Sequence, residues 1–250
     1  MADSDYAVGE RFLGLNARAS RDGDDGEAAV GTALHCELVG ASVDSVVNQF
    51  SILCVAFEPS TESVIACAAC TPGSTGFAAY EEALWVAIKA YLKLGREFRP
   101  ATITSTDSAL ADFFHGLIHE TGTDVVCIGR DQAVAWPSTA CAAAAADGEA
   151  PKLGAVMDRV LAGLGGRAAE AMGAAAGAAP QLQLLGACHH EKCGALLARR
   201  QLKRCSACKR TAYCGADCQR TDWPSHRAVC KKIQQVNAKL DENGAKVEWA

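Results

Sequence analysis

From position 188 to position 230 the chain reads Cys188-x4-Cys193-x11-Cys205-x2-Cys208-x5-Cys214-x3-Cys218-x7-His226-x3-Cys230. This spacing constrains the fold more than any other feature. Zn²⁺ takes four sulfur or nitrogen donors at the corners of a tetrahedron, and donors two to four residues apart can bend around one ion. Eight donors therefore predict two sites and two Zn²⁺. Seven thiolates and a neutral imidazole gain further stability from nearby cations. The segment 187–232 carries eleven Lys or Arg against Glu191, Asp217 and Asp222, a charge of +8, in a chain whose formal charge is −5. The remainder, at −13, is acidic.

Thirteen cysteines in a secreted domain would suggest disulfides. The N-terminus MADSDYAVGE has neither a basic region nor an apolar core, and no unbroken apolar run reaches the roughly 18 to 20 residues a bilayer needs. A soluble protein of the cytoplasm or nucleus is expected, with no membrane partner, and there clustered thiols are metal ligands more often than disulfides.

The string LKRCSACKRTAYCGADCQRTDWPSHRAVC resembles a MYND-type zinc finger, and the likeness covers about the last fifth of the chain. The resemblance implies a cross-braced arrangement. Cys188, Cys193, Cys214 and Cys218 would hold one zinc, and Cys205, Cys208, His226 and Cys230 the other. The family usually opens with Cys-x2-Cys, which His190-x2-Cys193 would restore, so His190 is the alternative to Cys188 as first ligand. Such structural sites are closed and leave no position for an activated water. Members of the family bind short proline-containing peptides, and the groove residues map onto Ser206, Gln219 and Trp223. Trp223 would supply an aromatic face for extended proline-rich backbone. The structural alternative makes Trp223 a cap on the finger's small core.

The rest of the chain reads as an α/β (α+β) domain. Residues 1–32 are polar and acidic and are expected to be a flexible lead-in. Across 33–137, strands are predicted at Ala33 to Gly40, Phe50 to Pro59, Ser63 to Cys70, Pro100 to Thr106 and Asp124 to Gly129. Helices follow from the 3.6-residue apolar pattern through Ala83, Leu84, Ala87, Ile88, Tyr91 and Leu92, and from Ser108 to Glu120. The predicted order is β-β-β-α-β-α-β. Residues 138–186 are Ala- and Gly-rich and read as linker, interrupted by one amphipathic stretch with Leu153, Val156, Met157, Val160, Leu161 and Leu164 on one face, expected to dock on the domain. The finger is assigned to 187–235 and a tail to 236–250.

The element order resembles the ribonuclease H-like fold, in which a helix glutamate and a strand-end aspartate bind Mg²⁺ with further carboxylates. Glu82 and Asp107 stand at those two positions. The first strand offers Glu37 in place of the family's Asp-Gly, and only Asp131 is available near the end, so hydrolysis of nucleic acid is not expected. Asp107 reads more economically as an N-cap for SALADFF. Cys67 and Cys70 end a strand and read as small buried residues, while His115 and His119 lack the glutamate of a metalloprotease helix and read as surface residues. Neither the His-x-Asp of a prolyl hydroxylase nor the signatures of a lysine methyltransferase occur. A basic patch invites nucleic acid, yet the thiolates cancel part of its charge and no aromatic-basic strand accompanies it. The reading is a zinc-dependent protein-protein interaction adaptor, with a role in transcriptional regulation among its expected uses. A divergent metal-dependent hydrolase or nucleic-acid-binding protein is the alternative.

Overall fold

A computed structural model describes residues 5–15, 33–42, 51–132, 152–172 and 180–242. The elements are α1 (Asp5–Leu13), β1 (Ala33–Ser42), β2 (Ser51–Glu58), β3 (Ser63–Ala69), α2 (Gly76–Lys93), β4 (Thr102–Ser105), α3 (Ser108–Ile118) and β5 (Asp124–Cys127). They continue as α4 (Leu153–Gly163), α5 (Gly165–Ala171), β6 (Gln181–Ala187), β7 (Leu196–Ala198), β8 (Lys203–Arg204), β9 (Ala212–Tyr213) and α6 (Ala216–Glu242).

Seven strands form one mixed sheet. Its spine is β3-β2-β1-β4-β5, with β1, β4 and β5 parallel and β2 antiparallel to both β1 and β3. Strand β1 is buried almost throughout because its successive side chains face opposite sides of the sheet and both sides are covered. Leu34, Cys36 and Leu38 pack with Tyr80 and Leu84 of α2, with Leu110 and Phe114 of α3, and with Val8 and Phe12 of α1. Val39 and Ala41 pack on the other side with Leu153, Val156, Met157 and Val160 of α4. Burying each such large side chain is worth about 1.5–3 kcal/mol. The amphipathic stretch thus docks on the sheet.

Two segments differ from the sequence reading. Within the expected flexible lead-in, residues 5–13 form α1, whose Val8 and Phe12 are buried in the main core. The polar run that follows masks these two apolar positions in any composition average. Within the expected linker, the alternating QLQLLGA of β6 pairs antiparallel with β1, and β7 pairs with β6. The Ala/Gly-rich background hides this strand, because its partners lie far away in sequence.

The pairing of β6 has a geometric consequence. The edge of β1 opposite β2 pairs with β4 at Ala33–His35 and then with β6 from Val39 to Ser42. Between those two registers the sheet splits, and Glu37 stands at the split.

Candidate metal centre

Strand β6 ends at Ala187 and delivers Cys188 straight from the sheet. A tight turn follows, in which the N–H groups of Cys193 and Gly194 both donate to the His190 carbonyl, at 2.8 and 3.1 Å. Cys205 and Cys208 occupy a second turn, closed by Lys209 N–H donating to the Cys205 carbonyl at 2.9 Å, with Lys209 at φ 60°. Cys214 follows β9, and α6 carries Cys218, Asp222, His226 and Cys230 four residues apart, hence on one face.

These turns and that helix face bring the donors together in two groups. Cys188, Cys193, Cys214 and Cys218 have donor atoms all within 4.8 Å of one another, and so do Cys205, Cys208, His226 and Cys230. Zn–S bonds of 2.3 Å at tetrahedral angles place sulfurs about 3.8 Å apart, and a Zn–N bond shortens a mixed edge to about 3.6 Å. The sulfurs of Cys193 and Cys214 are 3.7 Å apart, those of Cys205 and Cys230 3.9 Å, and Cys208 Sγ lies 3.6 Å from His226 Nε2. Cys214 and Cys218 are closer, at 3.3 Å. The residues fit a tetrahedral ion in both groups. His190 lies outside the first group, and Cys188 lies in it.

The local electrostatics divide the thiols. Cys193 is pushed down, first by the Ala195 N–H it accepts from. Cys205 is opposed by burial, yet the N–H groups of Cys208 and Ala207 bring it below the ordinary thiol value. Burial pushes Cys188 up and, with Cys205 as neighbour, takes Cys230 to about 11. Burial first, and the His189 charge second, lower His226, so its ring is neutral at physiological pH as a metal ligand must be. The finger's core consists largely of its own ligands, with Tyr213 as the single large side chain fully buried among them. Tyr213 donates its hydroxyl to Asp222 at 2.7 Å, and His189 Nδ1 meets the same carboxylate at 3.1 Å. Ser206 is exposed, Gln219 is partly buried, and Trp223 on the outer face of α6 is 41% exposed.

The family model for the MYND finger matches residues 188–230. Those residues are a MYND finger. Tudor domain-containing protein 1 of Mus musculus is 49% identical over 45 residues, 18% of this chain and 4% of that protein. SET domain-containing protein 14 of Caenorhabditis elegans is 54% identical over 37 residues, 15% and 9% of the two chains. The Zinc finger MYND domain-containing protein 10 homolog of Drosophila melanogaster is 53% identical over 30 residues, 12% and 7%. The chain thus spans less than a tenth of the length of these relatives, and the likeness is confined to the finger. No solved structure matches the chain. A MYND finger is a zinc-binding protein-interaction module, and both donor groups are compatible with zinc.

The MYND finger is built into the α/β domain. Arg199, in the 3₁₀ turn Arg199–Gln201 after β7, donates to Glu37 and to the Thr106 hydroxyl, and its Nε donates to the Leu185 carbonyl at 2.9 Å. Glu37 also accepts from the Thr106 N–H at 2.7 Å and the Thr106 hydroxyl at 2.6 Å, and lies 2.9 Å from His35 Nε2. Burial alone would raise the Glu37 pKa. The Arg199 charge, His35 and Thr106 overcome it and hold the group down at about 2. Tyr80 donates to Asp107 at 3.0 Å and accepts from the Ala187 N–H at 2.9 Å, tying α2 to the last residue before the finger. Arg210 pairs with Asp112, and its carbonyl accepts from Ser108 at 3.1 Å.

Of the carboxylates considered for hydrolysis, Glu37 and Asp107 meet on the Arg199 guanidinium, which lies 4.0 Å from Asp107 Oδ2. Glu82 accepts from Thr71 N–H at 2.6 Å and Ser74 at 2.5 Å, where it closes the loop after β3. Asp107 caps α3 by accepting from the Ala109 N–H at 3.0 Å. Glu37 is neutralised by Arg199, and Asp131 lies in the loop after β5. Cys70 is buried and pushed up to about 12, Cys67 is half-buried, and neither approaches the finger's donor groups. His115 and His119 stack on the exposed side of α3. The Arg199 contact left no trace in the sequence pattern, since an arginine in a basic segment looks like every other one there.

Proposed function

We propose that this chain is a protein-interaction adaptor whose MYND finger, loaded with two Zn²⁺, docks a short proline-containing segment of another protein. Cys188, Cys193, Cys214 and Cys218 hold one ion, and Cys205, Cys208, His226 and Cys230 the other. The ions supply structure, since all four positions on each are taken by side chains. The observation that carries the reading is that α6 spends one face on ligands and leaves Trp223 exposed on another, beside Gln219 and with Ser206 near the second ligand turn. An exposed indole on a metal-stiffened helix suits a rigid, extended proline segment, which loses little entropy on docking. Thiolate ligands suit a reducing compartment, in keeping with work in the cytoplasm or nucleus, transcriptional regulation included. The α/β domain serves as a platform, its Glu37 closed off by Arg199. The test is capture of proline-containing peptides by the intact chain, with and without chelator, followed by identification of what is retained. Retention that depends on zinc and on Trp223 supports the reading; retention unaffected by either overturns it.

A further inference from the structure

A cavity of about 720 Å³ lies between the α/β domain and the MYND finger, a volume in the range of ligand sites. It opens at the carboxyl ends of the parallel strands β4 and β5, beside the split at Glu37, which is where open α/β sheets place their ligands. Its walls differ in charge. The domain wall contributes Asp107, Asp112 and Asp131 together with Arg130. The finger wall contributes His189, Arg199, Arg204 and Arg210, and no acidic residue.

Two of these cations pair with exposed carboxylates. Arg210 pairs with Asp112 and Arg130 with Asp158, whose side chains are 60% and 66% exposed. Pairs with carboxylates this exposed contribute about 0–1 kcal/mol each. Arg199 is different, being committed to buried Glu37.

The cavity also lies near the exposed indole. The ring centroids of Trp223 and His226 are 6.0 Å apart, and those of His226 and His189 again 6.0 Å, so Trp223 and the cavity-lining His189 are no more than twice that distance apart. An extended peptide, at about 3.3 Å per residue, covers that span in about four residues. We propose that the cavity takes an anionic side chain, a carboxylate or a phosphate, from the same peptide segment whose proline-containing part lies on Trp223. The inference rests on the docking role proposed above and adds the chemistry of the flank: the partner segment is proline-containing and carries its negative charge on a neighbouring flank, against the cavity-lining Arg204 and Arg210.

The experiment uses the full zinc-loaded chain and an array of proline-containing peptides, each made with a glutamine, a glutamate or a phosphoserine flank. Anionic versions should bind about three- to tenfold more tightly than glutamine versions, the reach of one or two partly exposed charge pairs. Arg204→Gln, and Arg204→Gln with Arg210→Gln, should abolish that gain while leaving the glutamine versions bound. Comparing glutamate with phosphoserine tells which anion the cavity prefers. Lys231→Gln with Lys232→Gln removes charge from α6 away from the cavity lining and should preserve the gain. Zinc content, measured on every variant, confirms that the finger is intact. Equal binding of all flanks, with Trp223→Ala still weakening all of them, overturns this inference and leaves the docking role standing. A gain lost equally in the lysine variant also overturns it, by assigning the effect to the finger's overall charge. Binding of no peptide at all overturns both.

Discussion

Replacing Arg199 with methionine strands a carboxylate. Glu37 is 1% exposed, and Arg199 is the main charge that pairs with it, while His35 and Thr106 hydrogen-bond to it and His35 adds a smaller charge effect. Breaking one side of a buried ion pair costs about 3–5 kcal/mol, and the surviving hydrogen bonds put this case at the lower end. The pKa leads to a similar figure. A carboxyl held at about 2 against an ordinary 4.5 contributes about 3 kcal/mol at neutral pH, present above the unfolded value and lost as pH falls through the folded one. Without Arg199, burial dominates and the folded pKa rises above the unfolded value, so the sign reverses. The Glu37 contribution is then least unfavourable at low pH and worsens as pH rises through the new value. Urea unfolding of zinc-loaded Arg199→Met and wild type between about pH 6 and 8, where both metal sites stay loaded, reads the difference. The variant should lose about 3 kcal/mol and decline with pH relative to wild type. Adding Glu37→Gln should recover much of the loss and flatten the pH dependence. A loss under about 1 kcal/mol with no pH slope would refute the view that Arg199 neutralises a buried charge and locks the finger to the sheet.

Other substitutions separate the remaining roles. Cys188→Ser should release zinc from the first group whereas His190→Ala should retain it, by elemental analysis; the reverse pattern would move the first ligand to His190. Trp223→Ala should keep its zinc and lose about 1–3 kcal/mol of peptide affinity, as expected for an aromatic anchor, while zinc loss in that variant would make the indole structural. Gly76 has φ +52°, and an added Cβ would sit 2.9 Å from Gly194 Cα, so Gly76→Ala should cost about 1–3 kcal/mol in thermal unfolding. An unchanged midpoint would mean that the turn at Gly194 does not press on α2. The chain should not cleave an RNA–DNA hybrid in Mg²⁺ or Mn²⁺, and cleavage abolished by Asp107→Asn would revive the hydrolase reading.

The finger was legible because metal chemistry is local: ligand type and spacing specify which atoms can share an ion, and residues 188–230 carry both. Strands β1 to β5 were legible for a related reason, since their apolar runs end at turn-forming residues. What stayed hidden depends on distant partners. QLQLLGA is a strand because β1 offers it an edge, and Val8 and Phe12 are core because α2 lies over them. The pairing of Glu37 with Arg199 bridges two folding units and has no signature in either one.

Elemental analysis of the purified chain, combined with mass measurement under native and chelated conditions, tests the central claim most directly. The account predicts two zinc ions per chain, lost together with the finger's structure on chelation, because the finger's core is built from its ligands. One ion per chain, or none with the finger still folded, would contradict it.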